Sequence, residues 1–322
     1  MSPNEAPERR RQRRGTAEAW WADPTVAAVL DRSELVHLAV RSSRGPHVTP
    51  VAFHRQGRRL WLVAARDSVK VRAVAGDPVV GALIGLVRPG APAVMCAGRA
   101  RIVDPLTLRG IGPGVLDLPL AVGSYLLRNL RPAVAVIRER PVPTLPIARV
   151  LIVVELTGVA LLRDLRVVSA WGGWQRSDLL LQGTPPPVGA PRLGGVPAHL
   201  RTLIPSPSVP SRPGVLGWET LSGPMAIPAH WESGGSTMVT CAEAMTLAGG
   251  ASSSACCFTV AAGTRRSDPR DGLLLRGAGR ALRQHHIAHV ALDVRRVTWW
   301  TGVRAGSFAV GTGGPAAGLT SS

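Results

Sequence analysis

The sequence predicts a mainly β (α+β) fold, built as two tandem six-stranded antiparallel β-barrels with short helices. Three observations lead there. Short apolar runs of alternating, β-branched character follow one another with tight turn signals between them. Only brief helical patterns interrupt these runs. The order of runs in the first half then returns in the second after a slide of 178 residues.

The elements of the first half follow in order. Residues 1–17 carry Arg9, Arg10, Arg11, Arg13 and Arg14 with no apolar period, and read as a disordered basic tail. "ADPTVAAVLDRS" predicts a short helix, with Asp23 as its cap and Pro24 at the first helical position. Runs at 35–42, 47–54 and 59–65, divided by "SRGP" and "RQGR", predict a meander of three strands. "SVKVRAVAGDP" changes period and stops at Gly76-Asp77-Pro78, as a short helix does. "VVGALIGL" and "VMCAGRARIVD" read as two more strands. A Pro-rich insertion over 105–147 follows, with "LDLPLAVGSYLLRNL" as its helix, and "ARVLIVVELTGVALL" closes the unit as a long strand. Six strands joined by short turns argue for a small closed barrel over 18–168.

The second half repeats this plan. "GPHVTPVAFHRQG" lies on "GPMAIPAHWESGG", so that Gly45, Pro46, Pro50 and Gly57 coincide with Gly223, Pro224, Pro228 and Gly235, and Phe53 meets Trp231. Farther on, "AGRARIV" (97–103) matches "AGRALRQ" (278–284), and "VVELTGVALL" matches "ALDVRRVTWW". These matches place a second, degenerate barrel over 216–305. Residues 169–215 are rich in Pro and Gly and read as a linker with one short helix at "AHLRTLI"; residues 306–322 read as a disordered tail.

Composition narrows the function classes. Hydrophobic residues make up 45% of the 322-residue chain, which suits packed cores rather than disorder. The net charge of +18 comes with arginine written almost everywhere lysine would serve, so it reflects residue usage and is weak evidence of a nucleic-acid partner. Such a role would rest on the basic tail alone. Cys96, Cys241, Cys256 and Cys257 show no framework spacing and no signal peptide is recognisable, so a reducing cytoplasm is expected. No apolar run reaches membrane-spanning length without interruption. His285, His286 and His289 with the Cys256-Cys257 pair do not form a tetrahedral set at ordinary spacing, so no metal is expected.

One short stretch carries chemistry. Lys70 in "RDSVK" is the sole lysine among 38 basic residues. It stands at a helix start that follows a strand, where unpaired N–H groups and the dipole favour a phosphate. Ser68 adds a hydroxyl, Arg66 or Arg72 is placed to reinforce the cation, and Asp67 is placed to cap the helix and compete in part. A compact ammonium and a planar guanidinium are not equivalent at a tight site.

The order of elements from "GPHVTPVAFH" through "RLWLVAARDSVK" and "GDPVV" to "GRARIVD" resembles the pyridoxamine 5′-phosphate oxidase-like split-barrel flavoproteins, including their deazaflavin-dependent relatives. The resemblance implies a non-covalently bound FMN, with the deazaflavin coenzyme F-420 and then haem as alternatives. It implies that Val48, Thr49, Pro50 and Val51 flank the cofactor ring, that Val63 and Ala64 pass beneath it, and that Ser68 and Lys70 bind the phosphate. An uncharged Thr49 and Val51 argue against pyridoxamine phosphate as substrate. The implied activity is an oxidoreductase acting on an unidentified small molecule, against a non-catalytic flavin or haem carrier or sensor on the same barrel. No catalytic residue stands out, although Thr49, His47 and His54 lie on or beside the ring-facing strand. Lys70 falls on Ala248, Ser68 on Thr246 and Ala65 on Glu243 when the chain is slid by 178 residues. The second barrel is therefore expected to hold no cofactor of its own and to wall the site of the first, as a built-in dimer that leaves further homodimerisation open.

Overall fold

The computed structural model describes residues 20–85, 90–104, 149–174, 181–182, 189–233, 235–249, 254–261, 271–301 and 304–310. The expected helix at "LDLPLAVGSYLLRNL" and the basic tail lie outside the described residues.

Asp23 caps the first helix, α1 (Pro24–Arg32), by accepting from the N–H groups of Thr25 and Val26 at 2.9 and 3.0 Å. The strands β1 (Leu35–Ser42), β2 (Gly45–Gln56) and β3 (Arg59–Ala65) form the expected meander. Helix α2 (Val69–Gly76) separates β3 from β4 (Val79–Ile84), which is followed by β5 (Ala93–Val103) and β6 (Arg149–Arg163). The sheet order is β3-β2-β1-β4-β5-β6, and β6 pairs back onto β3, so six antiparallel strands close a barrel. Phe53, Leu62, Val36, Leu38, Ile84 and Ile152 are among the side chains that fill it. A seventh strand, β7 (Arg166–Gly172), hangs outside on β6 and runs into the stretch read as linker.

After a two-residue strand β8 (Leu181–Gln182) and a 3-10 turn at Ala198–Leu203, the pattern restarts. Strands β9 (Ser211–Thr220), β10 (Gly223–Glu232), β11 (Thr237–Cys241), β12 (Ala255–Ala261), β13 (Asp271–Gln284) and β14 (Ile287–Thr301) close a second six-stranded barrel. The short helix α3 (Ala242–Leu247) stands where α2 stands, and β15 (Arg304–Ala309) hangs on β14 as β7 hangs on β6. The chain contains a tandem duplication. Two strand ends lay beyond the sequence-based boundaries: β9 starts inside the Pro-rich stretch, and β15 reaches into the segment read as a tail. Both stretches are poor in apolar residues, and the extra pairing comes from backbone hydrogen bonds that composition does not reveal.

The equivalence extends to hydrogen bonds. In the β1–β2 turn, Ser42 Oγ donates to the Gly45 carbonyl at 2.6 Å; in the β9–β10 turn, Thr220 Oγ1 donates to Gly223 at 2.7 Å. Both glycines have positive φ, +87° and +102°, a conformation that disfavours any side chain. Each barrel also has a bulge, where β5 shifts register between Ala97 and Gly98 and β13 shifts between Arg276 and Gly277. Gly98 therefore corresponds to Gly277, not to the Gly279 that the "AGR" match suggested.

In both barrels the second and third strands part company. β2 pairs with β3 only from Phe53 to Gln56, and β10 pairs with β11 only from Ala229 to Trp231. Each leaves a split with a proline in it, Pro50 and Pro228, a residue suited to a strand edge. The barrels pack together, Thr259 Oγ1 donating to the Val48 carbonyl at 2.7 Å and Gly81 lying against the Pro224-Met225 backbone. No helix among the described residues is long and apolar enough to cross a membrane.

Candidate functional site

The split of the first barrel is where the sequence-predicted residues meet. Ser68, not Asp67, caps α2, its Oγ accepting from the Val71 N–H at 3.3 Å. That fixes the direction of the first turn and points Lys70 back across the split to β2. There its Nζ donates to Thr49 Oγ1 at 2.8 Å. The Lys70 stem keeps some contact with solvent, but its ammonium is enclosed, and burial lowers it to about 8. An ammonium carries three donors and Thr49 uses one, so two are left for an anion. No carboxylate among the described residues pairs with Lys70.

The two arginines expected to reinforce this cation do not. Arg66 forms a forked pair with Asp104, and Arg72 donates to the Asp67 carbonyl. Both are tied to their own neighbourhoods. A second cation nearby comes instead from the second barrel, and the sequence reading missed it. Arg276, at the β13 bulge, donates to Nδ1 of His47, two residues before Thr49 on β2. His47 is buried, and burial with the charges of Arg276 and Lys70 pushes it down to about 3. It is therefore neutral, with Nδ1 as acceptor and the proton on Nε2. Burial lowers Arg276 in turn, and Arg44 and Arg296 add to that. A signal existed: Arg276 interrupts the apolar "LLLRGAG" immediately before the bulge glycine, where the first barrel has Ala97.

The other predicted residues divide. Val48 is fully buried against the second barrel, and a Cβ on Gly217 would lie 2.4 Å from its Cγ2. Pro50 and Val51 are half-buried along the split, Val51 touching the first-barrel core. Ala64 is in that core, whereas Val63 packs into a small separate cluster with Trp61, Val103, Leu151 and Val153. The structure thus brings Thr49, Ser68 and Lys70 to one place with His47, and puts Val63 and Ala64 on opposite faces of β3. His54 lies on the β2 face opposite to His47 and Thr49, because side chains alternate along a strand. Among the described residues no group of three metal-ligating side chains gathers, and the thiols of Cys241 and Cys257 are pushed up to about 12 and 11, chiefly by burial.

Residues 22–114 match the family model described as pyridoxamine 5′-phosphate oxidase. Over α1 and β1 to β5, the first barrel is similar to the pyridoxamine 5′-phosphate oxidase family. Solved structures similar to this chain include General Stress Protein 26 from Bacillus anthracis, 17% identical, with 44% of this chain and 94% of that one covered at a TM-score of 0.30. A FAD-binding protein from Mesorhizobium loti is 17% identical, over 42% of this chain and 89% of that one, at a TM-score of 0.32. An F420 reductase is 22% identical, over 41% and 94%, at a TM-score of 0.29. Among curated proteins none matches the chain. Within this family frame, the match ends before β6, and β6 supplies the closing pair with β3.

Proposed function

We propose that the chain is a flavin- or deazaflavin-dependent oxidoreductase that binds one FMN or F-420 cofactor per chain, its phosphate held by Ser68 and Lys70. The observation that carries this reading is an enclosed ammonium at a helix start whose one partner among the described residues is a threonine. Leaving a buried cation without a counter-charge costs free energy. A phosphate arriving at Lys70 and the α2 N-terminus offsets that cost, and the family match over residues 22–114 and the cofactors named for similar proteins suggest its carrier.

The residues have distinct tasks in this reading. Ser68 keeps its O–H proton free to donate, because its oxygen accepts from Val71. Thr49 holds the Lys70 ammonium on the split side of α2. His47 stays neutral and presents its Nε2 proton, with Arg276 fixing the tautomer. The cofactor, when bound, supplies hydride or electron transfer, and the chain supplies position and electrostatics. The two barrels act as a built-in dimer with the site at their joint.

The test is reconstitution. The full chain is titrated with FMN and with riboflavin, which lacks the phosphate, following flavin fluorescence. FMN is expected to bind at one equivalent and at least about 100-fold tighter than riboflavin. Equal affinity for the two, or two equivalents of FMN, overturns the reading. Reduction of the bound flavin by a nicotinamide donor then separates an oxidoreductase from a carrier.

A further inference from the structure

The second barrel contributes its own cation, and the first cannot return one. Arg276 corresponds to Ala97 through the shared bulge, and Arg296 corresponds to Gly158, since Arg296 pairs with Arg276 as Gly158 pairs with Ala97. The Arg276 guanidinium is half-buried. Its terminal nitrogen donates to His47, but its Nε is fully enclosed and has no hydrogen-bond partner among the described residues. No carboxylate among the described residues pairs with it. Burial lowers it most; the Cys257 thiol, itself pushed up to about 11 and so neutral at pH 7, opposes that, and the permanent charges near it, Arg44 and Arg296, are both of its own sign. An enclosed, unpartnered guanidinium donor surrounded by like charge is an anion site, and its planar fork fits a carboxylate or a phosphate.

This site differs from the one at Lys70. Lys70 comes to His47 from α2 of the first barrel, and Arg276 comes to it from β13 of the second. Both cations depress His47, whereas Lys70 itself is lowered by burial alone. The two cations thus dock on neighbouring inward positions of β2, Lys70 on Thr49 and Arg276 on His47.

We propose that Arg276, with Arg296 and Arg44 near it, holds a second anionic group, the carboxylate or phosphate of the substrate, beside His47 and apart from the cofactor phosphate at Lys70. This rests on the cofactor reading above and extends it to substrate class: a small anionic molecule, recognised across the joint between the barrels.

The experiment titrates the ligand-free full chain with inorganic phosphate by calorimetry and then repeats the titration with FMN present. Wild type is expected to bind two phosphates. Lys70→Ala loses one and Arg276→Gln loses the other, each weakened at least about tenfold, and Arg276→Lys recovers part of the second. FMN removes only the Lys70 equivalent, leaving one phosphate that Arg276→Gln abolishes. A single equivalent lost in either variant overturns the proposal, because Arg276 then shares the cofactor phosphate. So does wild-type chain that binds no phosphate, or a second equivalent indifferent to both Arg276 variants. Two phosphate sites in a chain that ignores FMN overturn the cofactor reading and leave this one standing. Circular dichroism of each variant verifies that lost binding is not lost folding.

Discussion

The two helix starts of the duplicated chain show what separates an anion site from a structural joint. In the first barrel, Arg66, Asp67 and Ser68 lie between the end of β3 and the start of α2, Ser68 caps the helix, and Lys70 follows. In the second barrel that turn is gone. Cys241 both ends β11 and caps α3, its Sγ accepting from the Ala244 N–H at 3.3 Å. Counted from the caps, Lys70 corresponds to Glu243, so the cation has become an anion. Glu243 Oε2 accepts from the Val167 N–H of β7 at 3.0 Å, so a strand from the first barrel occupies the place a ligand would take. The residues around it have changed to match, with Met225 for His47 and Ile227 for Thr49. One half-site gathered charge while the other filled with apolar side chains and backbone.

The two barrels also meet at equivalent positions. Arg41 and Glu219, 178 residues apart, occupy corresponding places in β1 and β9, and Arg41 Nε donates to Glu219 Oε1 at 3.1 Å. Two identical barrels would set like residues against each other near such an axis. Duplication within one chain allowed an opposite pair there, which Asp77 joins at 2.7 Å.

The largest expected effect comes from imposing one half-site on the other. Lys70→Glu is expected to weaken FMN at least about 100-fold in a fluorescence titration, by loss of a cation and gain of repulsion. The reciprocal Glu243→Lys creates no second site, since β7 and Ile227 remain, and FMN stoichiometry stays at one. A second equivalent would break the comparison.

Lys70→Met is expected to weaken FMN binding by less than Lys70→Glu does, yet to stabilise the ligand-free chain at neutral pH by on the order of 3 kcal/mol. The sign follows from the protons. Lys70 is lowered from 10.5 to about 8, so between those values the folded chain binds fewer protons than the unfolded one. Its stability rises with pH across that window, and the full penalty stands below about 8. Urea unfolding at pH 7 and pH 10 is expected to show the advantage of Lys70→Met shrinking. An advantage that does not change with pH would mean that the ammonium is not enclosed.

Thr49→Val removes the hydroxyl that steadies Lys70 and is expected to cost about 1 kcal/mol of FMN affinity, a several-fold rise in Kd. The smallest effect belongs to the axis pair. Glu219→Arg is expected to lower stability by about 0.5–1 kcal/mol in low salt and by less in high salt, because Arg41 is half exposed. A melting temperature unmoved at low salt would show that the barrels do not depend on that pair.

The elements that sequence determined are those governed by local rules. Alternation and turns specified the six strands of the first barrel in order, the internal repeat carried that plan to the second, Asp23-Pro24 specified α1, and the serine two residues before a lone lysine specified the α2 start. Each depends on neighbours within one turn or one hairpin. The slide by 178 residues set Lys70 against Ala248, because a uniform offset cannot sense a turn deleted between β11 and α3. The "AGR" match hid Arg276 for a related reason, since pairing at the bulge, rather than composition, fixes which glycines correspond.

Sequence by itself determined the split barrel, its duplication and the cation at the helix start. Tertiary structure alone decided which charges share a site. Arg276 reaches His47 across 229 positions of chain, and Arg66, four residues from Lys70, turns away to Asp104. Coulomb interactions depend on distance through the folded molecule, and packing two barrels face to face sets those distances.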